Sequence, residues 1–147
     1  MDRCIHPDVH NDPLSLGCAV QRPFGSDRRS RCGDRFRAAR ASGDYIAVSS
    51  VVLYELWSGV QKSTYVSENT ERLRIFLSGD LDFLRFDDED AQSAGRVRAD
   101  LESRRTPIGP DDLLIAGQAL QRGLTAVTAN TSEFNRVPGL GLVDWTR

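Results

Sequence analysis

The apolar positions from residue 45 onward follow two alternating periods. Short runs rich in β-branched and aromatic residues are typical of strands, and longer runs with apolar residues three and four positions apart are typical of helices. The predicted strands are DYIAVSS, LDFLRF, LTAVTAN and LGLVDW, and the predicted helices are VVLYELWSGVQKS, SENTERLRIFLSG, DEDAQSAGRVRADLESRR and the run from Pro110 to Arg122. Because strands and helices alternate, the pattern predicts an α/β fold with a mainly parallel central sheet.

Residues 1–34 show neither period over a useful length. We therefore predict two parts: an atypical segment 1–34, for which we expect disorder or poor order, and a folded domain 35–147. Within the domain, RFRAARASG is predicted as the end of a helix that stops at Gly43. Within the first part only LSLGCAV resembles a short strand. A zinc site is a weaker alternative, because the spacings match no usual paired-ligand pattern; its candidate ligands are Cys4, His6, His10, Cys18 and Cys32.

Composition and charge narrow the class of protein. The length of 147 residues corresponds to one domain, and 39% hydrophobic and 27% charged residues are typical of a globular protein. No apolar run approaches the roughly 20 residues that span a bilayer, so we expect a cytoplasmic protein. The first 44 residues hold 8 of the 19 basic and 6 of the 21 acidic side chains, which leaves an acidic main body. A domain with a net negative charge does not bind nucleic acid through its overall charge. A polyanionic substrate would therefore require metal ions or a local basic patch.

Two adjacent carboxylates open the last predicted helix, in IGPDDLLIAGQAL. Either acid could simply be stabilised by the helix dipole, whose positive end lies at the helix N-terminus. Helical periodicity places the two acids on different faces. The face of Asp112 is an apolar stripe of Ile115, Ala116, Ala119 and Leu120. Asp111 shares its face with Gln118 and Arg122, which the pattern predicts to be a polar edge exposed to solvent. An unpaired acid on a buried face is costly. The pattern therefore favours a cap or surface position for Asp111 and leaves Asp112 open between a structural role and chemistry.

Three further polar residues stand near the carboxyl ends of predicted strands, where ligands bind in open α/β sheets. Glu55 lies among apolar neighbours in VVLYELW, and Asn130 and Glu133 follow LTAVTAN. Each has a structural alternative: Glu55 at the margin of the buried stripe with its head in water, and NTSE as a turn or a capping box. Taken together with Asp112, they form an oxygen-rich set that suits Mg²⁺ or Mn²⁺. Such an ion neutralises clustered carboxylates and activates water.

Three stretches carry a resemblance to a known family: IAVSSVVLYELWSGVQKS, PIGPDDLLIAGQAL and LTAVTANTSEFNRVPGLGLVDW. In order and spacing they resemble the PIN-domain ribonucleases of the VapC toxin family, in particular the tRNA(fMet)-specific endonuclease branch. The resemblance covers about residues 35–147. It implies a PIN-like three-layer α/β/α fold, cleavage of RNA (here tRNA) that depends on Mg²⁺ or Mn²⁺, inhibition by a cognate VapB-type antitoxin, and a homodimer.

The resemblance also assigns residues. Glu55, Asp112 and Glu133 match the family's metal-binding acids, and Asn130 matches the polar position of the loop after the fourth strand, which Thr128 could orient. One departure is clear: the family's first strand, in the middle of the sheet, ends in an Asp-Thr-Asn-like motif. Nothing in residues 1–34 matches it, because neither Asp8 nor Asp12 is preceded by a predicted strand. We therefore expect that strand to be absent or replaced, with LSLGCAV filling the gap only in part.

Three functions remain open on this basis. The first is an active metal-dependent endoribonuclease toxin, for which Lys62, Arg72 and Arg74 are candidate RNA phosphate contacts. The second is a catalytically impaired PIN remnant that binds an antitoxin or dimerises without cutting RNA, which the missing first acid favours. The third is an enzyme acting on small phosphates, which lacks support because the chain contains neither a P-loop nor a GxGxxG pattern.

Overall fold

The computed structural model describes residues 8–10, 26–79, 81–145 and 147. The LSLGCAV segment and three of the predicted zinc ligands, Cys4, His6 and Cys18, lie outside these residues. Within the described part, the elements are β1 (Asp8–His10), α1 (Ser26–Ser42), β2 (Ile46–Ser49), α2 (Ser50–Gln61), α3 (Val66–Leu77), β3 (Asp82–Leu84), α4 (Asp88–Ser103), α5 (Pro110–Gln121), β4 (Thr125–Val127), α6 (Thr131–Phe134) and β5 (Gly141–Val143). Every strand and helix predicted from residue 45 onward is present.

The five strands form one parallel sheet in the order β3-β2-β1-β4-β5. Strand β1 occupies the centre, where Val9 lies between Ala47 of β2 and Ala126 of β4. The expectation of a gap only partly filled at this position is therefore wrong: three residues replace the first strand. Strands pair through hydrogen bonds between backbone N–H and C=O groups, so a segment without a strand-like side-chain pattern can still form a central strand. The expectation that no strand precedes Asp12 is wrong for the same reason, since β1 ends two positions earlier.

Both faces of the sheet are covered, which gives the three-layer α/β/α arrangement. Successive residues of a strand point to opposite faces. Ile46 packs in a cluster with Ala39 of α1 and Trp145, whereas the neighbouring Ala47 packs with Ala119 of α5 and with Leu124. Strand β2 is buried along its whole length, as expected for a strand with helices on both sides.

The ends of the helices follow local rules of the sequence. Helix α1 ends before Gly43, whose φ of 81° is a backbone conformation that glycine adopts without strain. Ser49 caps α2, because its hydroxyl accepts a hydrogen bond from the Val51 amide at 3.2 Å. None of the helices in the described ranges combines the length and the apolar character needed to cross a bilayer.

The main core lies where α2, α4 and α5 meet the sheet. Its fully buried side chains include Val52 and Leu56 of α2, Leu101 of α4, Ile115 of α5 and Phe134 of α6. Burying a side chain of this size contributes about 1.5–3 kcal/mol relative to leaving it exposed. The predicted apolar stripe of α5 is confirmed at Ile115, Ala116 and Ala119, which are fully buried, while Leu120 is half-buried.

Helices α4 and α5 form a close antiparallel pair, joined at one end by a buried ionic network. Asp90, with 0% of its surface exposed, accepts hydrogen bonds from Arg122 at 2.7 and 3.1 Å and from Gln118 Nε2 at 2.8 Å. Burial alone would raise the pKa of the Asp90 carboxyl, but the bonds from Arg122, Gln118 and the Asp87 amide outweigh it and hold that pKa below its ordinary value of 3.8. The buried charge is therefore paired and satisfied.

Candidate active site

Three of the predicted residues meet around the backbone of Gly109, at the start of α5. Asn130 donates a hydrogen bond from Nδ2 to Asp112 Oδ2 at 3.1 Å, and the Gly109 amide donates to Glu133 Oε2 at 2.9 Å. A Cβ atom built on Gly109 would lie 3.6 Å from Asp112 Oδ2 and 3.7 Å from Glu133 Oε2. The two carboxyl groups therefore flank one small space beside a residue that has no side chain to fill it.

The loop that carries Asn130 is oriented as predicted. Thr128 is fully buried after β4, and its hydroxyl accepts a hydrogen bond from the Asn130 amide at 3.0 Å. Asn130 stands at the N-cap position of α6, but its side chain makes no capping hydrogen bond. The capping-box alternative for NTSE is therefore wrong: the side-chain Oδ1 of Asn130 accepts from the Ser132 hydroxyl at 3.3 Å rather than from a backbone amide, while its Nδ2 donates to Asp112.

Electrostatics keep Glu133 ionised. The hydrogen bond from the Gly109 amide is the largest influence and lowers the pKa of the Glu133 carboxyl; partial burial opposes it, and hydrogen bonds with Asn130 and Asp112 and the positive charge of Arg136 lower it further. The net direction is downward from the ordinary value of 4.5. At neutral pH Glu133 is therefore a carboxylate, which is the form that binds a cation.

Two arginines brace the loop that leads into this space. Arg136 Nη1 donates to the Pro107 carbonyl at 2.8 Å, and Arg104 Nη2 donates to the Arg136 carbonyl at 2.9 Å. Glu133 of α6 accepts from the Gly109 amide, so α6 and the residue Arg136 after it hold the α4–α5 loop at two positions, 109 and 107. Asp112 follows directly on this braced loop, so its position depends on it.

Glu55 occupies the second turn of α2, where it is half-buried and its Oε2 atom is buried. Among the described residues, no three acidic, histidine or cysteine side chains are close enough together to form a metal-holding group. The structure thus brings Asp112, Glu133 and Asn130 together, and it does not bring Glu55 into the same tight group. The assignment of Glu55 as a metal ligand stays a prediction.

The other candidates lie away from this space. Asp111 is half-buried in the first turn of α5, a helix that has no side-chain cap at its start. Lys62, Arg72 and Arg74 are exposed at the end of α2 and along α3, and Arg72 lies 4.0 Å from Glu68. Their predicted contacts with RNA remain predictions.

Two contributors to the site, Gly109 and Arg136, were not singled out from the sequence. A glycine directly before the Pro110 that opens α5 is a visible signal in the sequence, although it indicates a turn rather than a site. Arg136 has no such signal, because only folding places its guanidinium on a carbonyl 29 positions earlier in the chain.

The residues present fit a divalent cation. Mg²⁺ in proteins is commonly bound by one or two carboxylates and keeps several of its waters. Asp112 and Glu133 offer two such groups at one small space, and Glu133 is held ionised there. Two adjacent carboxylates repel each other, and a cation between them removes that cost.

Comparison with known proteins gives a consistent result. The PIN domain family matches residues 24–140. The chain is similar to the tRNA(fMet)-specific endonuclease VapC of Salmonella typhimurium, with 41% identity over 100 residues that make up 68% of this chain and 75% of that protein. It is also similar to ribonuclease VapC2 of Rickettsia felis, with 41% identity over 107 residues, or 73% of this chain and 79% of that protein.

A solved structure extends the likeness to the fold. A chain in the crystal structure of VapBC2 from Rickettsia felis, bound to a DNA fragment from their promoter, superposes with a TM-score of 0.80 and 32% sequence identity. The match covers 94% of this chain and 98% of that chain.

Proposed function

The chain belongs to the PIN-domain family and, within it, to the VapC ribonucleases, and from this premise we propose that it is a divalent-metal-dependent endoribonuclease that cleaves tRNA as the toxin of a toxin–antitoxin pair. The observation that carries the proposal is the meeting of Asp112, Glu133 and Asn130 around Gly109. Two relatives with more than 40% identity are named as a tRNA endonuclease and a ribonuclease, which supports the reaction class.

Each residue has a distinct part in this proposal. Asp112 and Glu133 would hold Mg²⁺ or Mn²⁺, with Glu55 as the third acid that the family resemblance implies. Asn130 orients the Asp112 carboxylate through its donated hydrogen bond, and the Gly109 amide keeps Glu133 charged. When bound, such an ion supplies an activated water and stabilises charge on a phosphate oxygen. The chain itself supplies the fixed carboxylates and the braced loop.

The test is cleavage of total tRNA by the purified protein in Mg²⁺ or Mn²⁺, with Asp112→Asn beside Asp111→Asn. The two variants remove one charge each from adjacent residues of the same helical turn, so they are matched. We expect Asp112→Asn to reduce the rate by at least about 100-fold, because it removes a group from the site, and Asp111→Asn to stay within about twofold. Chelation should abolish cleavage and added Mn²⁺ should restore it.

Equal activity of the two variants, or cleavage that persists in chelator, would contradict the proposal. Circular dichroism of each variant shows whether a loss of activity is a loss of fold.

A second candidate is the impaired remnant, a PIN domain that binds partners without cutting RNA. One observation favours it: the central strand β1 ends at His10, where the family resemblance implies an Asp-Thr-Asn-like motif. Titration of Mn²⁺ by calorimetry separates the two candidates. The active enzyme should bind Mn²⁺ at a site that Asp112→Asn weakens by tenfold or more, whereas a remnant should show weak binding that the substitution leaves unchanged.

The toxin role includes an antitoxin of the VapB type as partner. The structural relative is a VapBC complex, which supports this part of the proposal. We expect the product of the neighbouring reading frame, co-expressed with this chain, to co-purify with it and to suppress tRNA cleavage. Cleavage that is unaffected by an equimolar bound partner would contradict this role.

A further inference from the structure

The turn between α4 and α5 contains a backbone conformation that is unusual for its residue. Arg105 has a φ of 56°, and it is the one residue other than glycine in the described ranges with a positive φ. Its amide donates to the Glu102 carbonyl at 3.0 Å, and the Thr106 amide donates to the Leu101 carbonyl at 2.9 Å. These two bonds define a helix C-terminus of the Schellman type, whose left-handed position is normally glycine.

An arginine is therefore unfavourable for the fold at this position. A β-carbon in the left-handed conformation is crowded by the following carbonyl, which glycine avoids. Strained positions of this kind persist where the surrounding structure holds them, and they are concentrated at functional sites. The side chain of Arg105 is thus the feature that needs an explanation.

Two other arginines near this turn, Arg104 and Arg136, use their side chains for contacts within the protein. Arg104 is paired with the Asp100 carboxylate and donates to the Arg136 carbonyl, and Arg136 donates to the Pro107 carbonyl. Arg105 is exposed, and its guanidinium makes no hydrogen bond or ion pair with the described residues. The described part of the chain therefore uses none of its five donors, and they can serve a ligand outside the protein.

The location places that charge beside the candidate site. Arg105 is four residues before Gly109, so the two α-carbons are at most about 14 Å apart. The loop between them is held by Arg136 at position 107 and by Glu133 at position 109. An exposed guanidinium therefore stands on a braced loop within a few nucleotides' length of the two carboxylates.

We propose that Arg105 binds a phosphate of the RNA backbone next to the cleavage position. The inference rests on the proposed ribonuclease function and adds a substrate contact to it. A guanidinium matches the oxygens of a phosphate in a two-bond geometry, and the strained turn fixes where that group starts from the backbone. Because the main body is acidic overall, a local cation of this kind contributes to holding a polyanion.

The test measures RNA affinity separately from chemistry. Labelled tRNA is titrated with the Asp112→Asn protein, which does not cut under the proposed function, with and without Arg105→Gly, at several salt concentrations. Loss of one phosphate contact should weaken binding about fivefold at 0.15 M salt and reduce the slope of log K against log salt by about one. Arg105→Lys keeps the charge and should retain most of the affinity.

Three controls make the outcome decisive. Arg96→Gln removes an equal charge from an exposed arginine in the middle of α4 and should leave affinity and salt slope unchanged. In the active protein, Arg105→Gly should raise KM for tRNA about fivefold while kcat changes less than twofold. Its urea midpoint should rise, because glycine relieves the strain, so weaker binding cannot come from unfolding.

Wild-type affinity and salt slope in Arg105→Gly would overturn the Arg105 contact and leave the proposed function standing. Absence of tRNA binding by the parent Asp112→Asn protein, together with no cleavage by the wild type, would overturn both. A loss in Arg96→Gln equal to that in Arg105→Gly would show general charge attraction, and it too would overturn the specific contact.

Discussion

Replacement of Gly117 by alanine tests the close packing of α5 on α4, the helix pair that positions Asp112. A Cβ atom on Gly117 would lie 2.4 Å from Ala94 Cα and 2.5 Å from its nitrogen. Non-bonded carbon atoms prefer about 3.5–4.0 Å, so the two helices would have to separate by about 1 Å or more. The obstructing atoms are backbone and cannot rotate away.

The magnitude follows from two opposing contributions. Overpacking of this kind lowers the free energy of unfolding by about 1–3 kcal/mol. Because the Cβ atom would meet backbone atoms, we expect the cost at Gly117 to lie near the upper end of this range. Alanine is favoured over glycine in a helix by about 1 kcal/mol, which offsets part of that cost. We therefore expect Gly117→Ala to lower the free energy of unfolding by about 2 kcal/mol.

Gly95 provides a matched control in the same helix pair. It lies on the exposed side of α4, and a Cβ atom there would meet nothing within 4 Å. Gly95→Ala should raise the free energy of unfolding by up to about 1 kcal/mol, since only helix propensity acts. Urea unfolding followed by circular dichroism measures both variants. A Gly117→Ala protein as stable as the wild type would refute the packing argument, and a destabilised Gly95→Ala protein would refute the propensity argument.

Two further predictions concern charged groups. Because hydrogen bonding lowers the pKa of Asp90 in the folded state, its stabilising contribution is complete above about pH 4 and is lost as the pH falls through the lower folded value. Urea midpoints of Asp90→Asn should therefore lie well below those of the wild type at about pH 7, and the difference should narrow as the pH falls below the ordinary value of 3.8. A difference independent of pH would contradict this. Arg136→Gln should lower kcat for tRNA cleavage by about 10- to 100-fold with little change in Kd, because the loop before Asp112 loses its brace. Arg136→Lys retains a cationic donor near the Pro107 carbonyl and should restore part of the lost rate.

The secondary structure from residue 45 onward was predictable because local rules control it. Ser49 caps α2 through a bond between residues two apart, and Gly43 ends α1 through its own backbone freedom. The different directions of Asp112 and Asp111 were also a local matter, since the helical period separates them. The structure places Asp112 against Asn130 and leaves Asp111 in the first turn without a capping bond.

The central strand was not predictable from pattern. Strand β1 has three residues, too few to show a period, and its place in the sheet comes from pairing with β2 and β4 across long stretches of chain. The Asp90 network was missed for a similar reason. The acids of DEDAQ indicate the start of a helix, and nothing in them reveals that Arg122, 32 positions later, pairs with one of them.

The sequence by itself determined the order of strands and helices and the parallel α/β class, and it supplied Asp112, Asn130 and Glu133 as candidate site residues. These properties depend on periodicity and residue type, which are local. Only the tertiary structure decided that the three residues share one space around Gly109 and that Arg136 braces the loop beside it. It also decided that Arg105 stands in a strained turn, where no described residue pairs with its charge. Those facts depend on contacts between residues distant in the chain and on backbone dihedral angles, and residue order encodes both only through the complete fold.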